Sequence, residues 1–270
     1  MAFDPTKVKL GCLPPKQDSR TLRFARYVTS QLPKPPALTK WAGKTQPPWH
    51  MYLNDRIGDC TCASAGHAIQ VWTANATKEV EITDQDVLQA YMAISGYDPN
   101  TGANDNGAVV IDLMNYWRHL GIGGRKIEAY AAVHPQSPLE VEEAIYYFGG
   151  CYIGIALPMA AQQQQGVWSV PRRIPWMQQY AWRPGTWGGH AVFVYDYDRS
   201  KQLFKFTTWG SEMACTYRFF VSYVMEAYAI LTPDWFDASN QAPNGFDLAA
   251  LRADLAHISG TQGDPLNAGP

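Results

Sequence analysis

Asn54-Asp55-Arg56-Ile57-Gly58-Asp59-Cys60-Thr61-Cys62-Ala63-Ser64-Ala65-Gly66-His67-Ala68-Ile69 is the stretch on which the reading of this chain turns. Gly58 and Asp59 are turn and helix-capping residue types, and residues 61–72 are rich in alanine, with larger apolar side chains at Ile69 and Trp72. A tight turn therefore feeds a buried helix, and Cys60 stands at or beside its first turn. Free backbone N–H groups and the positive end of the helix dipole favour thiolate over thiol at such a junction, which suits a nucleophile. The same position suits an ordinary core residue, because free cysteine is among the most buried residue types and packs as a small hydrophobe. The rest of the chain must decide between them.

The chain has 270 residues, 46% of them apolar and 13% aromatic, enough for one large domain or two lobes sharing a cleft. A net charge of -2, with 22 lysines and arginines scattered rather than clustered, gives no footprint for nucleic acid. The first ten residues carry Asp4, Lys7 and Lys9 and no apolar run follows, so no signal peptide is expected and the expected compartment is the cytoplasm. No stretch approaches the roughly 18 apolar residues of a membrane span, so no membrane partner is expected. The five cysteines, Cys12, Cys60, Cys62, Cys151 and Cys215, are odd in number and widely spread, which suits reduced thiols. Cys60, Cys62 and His67 match no common zinc spacing, and neither a metal nor a cofactor is expected.

Along the chain, residues 1–53 form a wrapping arm, studded with proline from Pro14 to Pro48 and leaving room for a helix only around 21–31. Residues 54–150 read as a helical lobe. Thr83 and Asp86 open one helix, Val110, Leu113, Met114, Trp117 and Leu120 keep helical spacing up to Gly121, and Ser137, Pro138 and Glu140 form a capping box for a helix to about Phe148. Residues 151–235 change period. The runs 151–157, 191–197, 203–208 and 215–221 are rich in β-branched and aromatic residues and read as strands of an antiparallel sheet or small barrel. An insertion at 158–189 carries Trp168, Trp176, Trp182 and Trp187, a length usually functional or used for docking. Residues 236–270 form a C-terminal extension with one plausible helix at 246–258.

Two further motifs add weight to Cys60. Gly188-Gly189-His190-Ala191-Val192 enters an apolar strand about 130 residues later, and Thr207-Thr208-Trp209-Gly210 follows about twenty residues beyond. A cysteine at a helix start, then Gly-Gly-His, then Trp-Gly, in that order and spacing, resembles the papain-like cysteine peptidases, and more closely their short bacterial and phage relatives. The resemblance extends from about Leu10 to about Tyr223 and includes Leu10, Gly11, Pro14, Pro15, Asp18 and Arg20, an opening similar to that of those relatives, and Leu32, Pro33 and Trp41. It implies an α+β fold, a helical lobe packed against an antiparallel β-barrel lobe with a cleft between. It also implies a thiol-dependent peptide or amide hydrolase acting on peptide or protein substrates without a cofactor.

Carried over by position, the resemblance makes Cys60 the nucleophile, His190 its base, Thr207 the group that orients the imidazole, and Asn54, six residues before Cys60, a donor to the oxyanion. The departures argue for reduced activity: Thr207 stands where the family has asparagine, Asn54 where it has glutamine, and Thr61 where an aromatic residue commonly follows the nucleophile. A second class is a non-catalytic papain-like scaffold, a structural component of a phage virion or other assembly, docked through the 158–189 insertion and the 236–270 tail.

Overall fold

The computed structural model describes residues 4–19, 21–26, 32–46, 48–239 and 241–244. The helix expected at 246–258 lies outside them. Around Thr21 the chain forms a two-residue strand, β1 (Leu22–Arg23), and a 3-10 turn at Phe24–Arg26 instead of a helix; residues 27–31 are outside the described set.

Helix α1 (Cys60–Ala76) is the axis of the fold, and almost every side chain along it is buried. Its small residues allow that: a Cβ at Gly66 would come within 2.6 Å of the Tyr52 ring, so the loop before the helix packs directly on its backbone. α2 (Asp84–Ser95) starts on the expected capping box, Thr83 and Asp86 bonding reciprocally, and stops at Gly96 in the left-handed region. α3 (Val110–His119) buries Val110, Leu113, Met114 and Trp117. After β2 (Ala129–Val133), α4 (Pro138–Phe148) opens with Ser137 accepting from the Glu140 N–H, while the Glu140 carboxylate turns to the His134 N–H, so only half of the expected capping box forms.

The sheet continues with β3 (Cys151–Leu157), β4 (Val167–Trp168), β5 (Gly188–Asp198), β6 (Leu203–Thr208), β7 (Ser211–Thr216) and β8 (Val224–Leu231). Its order is β1-β2-β8-β3-β5-β6-β7-β4. The sheet does not close into a barrel: it ends at each side in a parallel pair, β1 on β2 and β4 on β7, whose outer strands are two residues long. The run 215–221 is not one strand. The Thr216 hydroxyl accepts from the Phe219 N–H and caps a short helix, α5 (Tyr217–Tyr223), which buries Phe219, Phe220 and Tyr223. An aromatic-rich run of that length fits either period, and the cap decides it.

Strand alternation sorts the core into two layers. Tyr152, Phe193 and Tyr195 join α1, α2 and α3 on one face of the sheet, and Ile153, Ile155, Val192, Val194, Phe204 and Phe206 join α4 and α5 on the other. The result is an α+β fold in which the head of α1 meets the middle of the sheet at β5. Among the described residues no helix is long and apolar enough to cross a membrane.

Candidate active site

Cys60 is the first residue of α1, and Asp59 holds the N-cap position without capping through its side chain. One helical turn on, the Ser64 hydroxyl donates to the Ala191 carbonyl at 2.7 Å, which ties this face of α1 to β5. The same register brings the Cys60 sulfur to the backbone of Ala191, the residue after His190, and to that of Gly11. Cys60 is buried, and burial pushes its thiol up to about 12, with the backbone groups of Ala191 and Gly11 pulling back and Asp59 adding to the rise. The helix N-terminus alone favours thiolate. Loss of water outweighs it here, and the sulfur stays protonated.

His190 lies on β5 with its ring wholly buried. Nε2 is 2.6 Å from the Thr208 hydroxyl, and the ring stacks on Trp209 with centroids 4.5 Å apart. Among the described residues Nδ1 has no hydrogen-bond partner. Burial, with a smaller contribution from His67, lowers the imidazole to about 3, so it is neutral. The hydroxyl on the ring is not that of Thr207, the residue to which the resemblance gives this role. Neighbouring strand residues point to opposite faces, and Thr207 is 3.1 Å from the Tyr195 hydroxyl instead. The sequence reading misses Thr208 because motif alignment fixes a position but not which of two adjacent hydroxyls faces the ring. Trp209 and Gly210 join β6 to β7 as a two-residue hairpin with φ of 48° and 67°. That turn favours asparagine or glycine at its first position. A tryptophan held there against its preference covers the histidine with an indole whose own N–H is bonded to the Lys9 carbonyl at 3.2 Å.

No family model and no curated protein matches the chain. Solved structures do. Xylellain, a cysteine protease from Xylella fastidiosa, superposes with a TM-score of 0.59 at 17% identity, over 84% of this chain and 97% of that one. A cathepsin B proform from Trypanosoma congolense gives 0.57 at 12% identity, over 86% and 88%. The ragweed cysteine protease Amb a 11 in its proform gives 0.54 at 13%, over 82% and 70%. The fold is that of the papain-like cysteine proteases.

Within this papain-like fold, Asn54 sits in the loop before α1 and is buried, but its side-chain amide donates to the Ile57 carbonyl at 3.2 Å. One of its two N–H donors is used on its own turn. Asp59, fully buried next to the cysteine, has its carboxyl pushed well up by desolvation, against the pull of the Asn54 amide.

The N-terminal arm crosses the start of α1 and of β5. The Gly11 and Cys12 N–H groups both donate to the Gly189 carbonyl, at 3.1 and 3.0 Å. On the other side Ala108 N–H donates to the Gly11 carbonyl at 2.7 Å, and Leu13 N–H to the Ala108 carbonyl at 2.9 Å. Lys9 N–H donates to the Asn54 carbonyl at 2.9 Å. Residues 9–13 thus run extended between the loop before α3 and the start of β5, over Cys60. Two glycines make this approach possible: a Cβ on Gly11 would lie 1.7 Å from the Gly58 carbonyl oxygen, and one on Gly189 would lie 1.8 Å from that of Cys12. Gly11 and Gly189 are legible as motif residues; that they meet is not.

Proposed function

We propose that the protein is a thiol-dependent peptide or amide hydrolase of papain-like type, with Cys60 as nucleophile and His190 as base, latent while residues 9–13 cover the site. The observation that carries this reading is the state of His190. One ring nitrogen is held by Thr208 and the ring face by Trp209, while among the described residues the other, buried nitrogen has no partner; the backbone of the next residue, Ala191, is what meets the Cys60 sulfur. With the arm displaced, Nδ1 takes the thiol proton as sulfur attacks the substrate carbonyl carbon. The C–N bond then breaks, and His190 returns the proton to the leaving amine. Water hydrolyses the resulting thioester, with His190 again as base. The Cys60 backbone N–H is one oxyanion donor. Asn54 supplies a second if the remaining N–H of its amide, the other being bonded to Ile57, reaches the oxyanion, and a missing donor typically lowers the rate by about 3 kcal/mol of transition-state stabilisation.

The test is turnover of fluorogenic peptide amides by the full chain carrying Gly11→Ala, in which the arm cannot keep its place over Cys60. Hydrolysis that appears in this background and is abolished by adding either Cys60→Ser or His190→Ala, with folding intact by circular dichroism, supports the reading; no hydrolysis in this background, or activity that survives Cys60→Ser, sinks it.

A second reading, a non-catalytic scaffold in a virion or other assembly, is favoured by one observation. Trp176, Met177 and Tyr180 in the 158–189 insertion are 80%, 77% and 62% exposed. An inert protein that self-associates or captures a partner only while these three side chains are present would support it over the first.

A further inference from the structure

The 158–189 insertion sorts its tryptophans. Trp168 is buried in the core layer that includes α4 and α5, and Trp182 and Trp187 pack against that layer. The base of the insertion is fixed: Gly185 N–H donates to the Ala156 carbonyl at 3.1 Å, Trp187 N–H to the Leu157 carbonyl at 3.0 Å, and the Tyr223 hydroxyl to the Trp182 carbonyl at 2.9 Å. From this base two 3-10 turns, Trp176–Gln178 and Tyr180–Trp182, present Trp176, Met177 and Tyr180 to solvent. Met159, on the turn Met159–Gln163 that packs against Tyr180–Trp182, is exposed as well. Apolar residues scattered singly over a surface need no explanation. These are gathered: of the nine large apolar side chains exposed among the described residues, five lie in the insertion.

Its charge is one-sided. The insertion holds three of the chain's 22 cationic residues, Arg172, Arg173 and Arg183, and none of its 24 acidic ones. All three are exposed, Arg172 and Arg173 just before the first of the two turns and Arg183 just after the second, where its guanidinium carbon is 5.9 Å from the Tyr180 ring centre. Among the described residues no carboxylate is paired with any of them. An aromatic tip flanked by unpaired arginines complements a surface that is anionic and partly apolar. A second copy does not supply one, because a twofold contact through this patch would set arginine against arginine. An acidic peptide is held by a groove, whereas these side chains protrude, Trp176 most of all. At a lipid surface protrusion is what is needed: Trp and Tyr settle at headgroup depth, methionine reaches the acyl boundary, and arginines stay with the phosphates.

We propose that residues 172–183 dock the protein on an anionic lipid surface, with Trp176, Met177 and Tyr180 entering the interface and Arg172, Arg173 and Arg183 meeting lipid phosphates. The expectation of no membrane partner rests on apolar runs long enough to span a bilayer, and adsorption to its surface needs none. The docking stands whether or not Cys60 turns over a substrate.

The test is co-sedimentation of the full chain, at low salt, with vesicles of phosphatidylcholine alone and of phosphatidylcholine containing about one third phosphatidylglycerol. Partition onto the anionic vesicles should be stronger by roughly tenfold or more, and should fall by about tenfold or more both in Trp176→Ser with Met177→Ser and in Arg172→Gln with Arg173→Gln. Leu120→Ser and Leu139→Ser, at exposed apolar positions outside the insertion, should leave it unchanged. No partition at all, equal partition onto both vesicles, or a loss at Leu120 and Leu139 as large as at the tip overturns the proposal. The comparison of the two lipids uses the unmodified chain, so it decides the matter even where a variant fails to fold by circular dichroism. Binding to polyglutamate without binding to vesicles overturns the lipid surface in favour of an acidic protein partner. A dimer dissolved by the Trp176 and Met177 substitutions, with no vesicle binding, overturns it in favour of self-association.

Discussion

Gly11→Ala separates a covered thiol from an inert one. The arm is held over Cys60 by the six hydrogen bonds named above, from Lys9, Gly11, Cys12, Leu13, Ala108 and Trp209. At about 1 kcal/mol net each they hold it by on the order of 6 kcal/mol, which suppresses exposure of the thiol by roughly four powers of ten. A methyl group on Gly11 would fall 1.7 Å from the Gly58 carbonyl oxygen and 2.4 Å from its carbon. Those are backbone atoms of the loop that leads into α1, so the arm must move, and a movement of more than an ångström breaks two or three of the four bonds to Gly189 and Ala108. Losing two or three bonds raises the open population by roughly a hundredfold. The assay is alkylation of the native protein by iodoacetamide near pH 8, mapped by mass spectrometry. Cys151 and Cys215, both 0% exposed, serve as internal references. The expected outcome is slow, uniform labelling in the parent chain and selective labelling of Cys60 in Gly11→Ala, faster by ten- to a hundredfold. If Cys60 in the variant reacts no faster against those references than in the parent, the arm is not what seals the site, and the latent-enzyme reasoning fails with it.

Thr208→Val and Thr207→Val should each cost about 1–3 kcal/mol, because each strands a buried polar partner, His190 Nε2 in one case and the Tyr195 hydroxyl in the other. Only Thr208→Val should change the ¹⁵N signature of the imidazole and lower kcat for any peptide turnover; an equal change in Thr207→Val would refute the assignment of Thr208. Acid should destabilise the fold chiefly below about pH 4.5. His67 and His190 are lowered by burial to about 4 and about 3, so the folded state binds fewer protons than the unfolded one below the ordinary value of 6.5, and the stability they contribute at neutral pH is lost as pH falls. Glu226 and Asp196, raised by burial to about 7 and about 6, act in the opposite sense between there and about 4.5, where folding gains as they protonate. Urea titrations should therefore show little change from pH 6.5 to 4.5 and a fall of about 1 kcal/mol or more per unit below it. A stability that climbs from pH 4.5 to 3.5 would contradict the burial of the two histidines.

The contrast between Cys60 and Gly11 shows where sequence reading ends. Cys60, the α1 helix and the β5 strand are legible because each is written in one contiguous run: a turn before a small-residue helix, and a glycine pair before an apolar strand. β2 and β8 are not, since Ala129–Val133 and Val224–Leu231 become strands by pairing with each other and with β3, and neither has strict alternation of its own. The arm is the extreme case. Gly11, Gly58, Gly107 and Gly189 are scattered over the chain, yet the backbone of each lies within a methyl group's reach of another segment at the same place. Nothing local marks that convergence. It is also what reverses the chemistry expected of Cys60. The helix start does present its N–H groups and dipole, which are local properties; the desolvation that keeps the thiol protonated comes from everything packed around the sulfur, including a segment nearly fifty residues away in the chain. A local favourable field of about 1 kcal/mol does not outweigh the exclusion of water from the same atom. On the proposed reading, the reactivity of Cys60 is a property of the arm's position as much as of the helix it begins, because displacing the arm would expose the sulfur and restore the conditions under which the helix start matters.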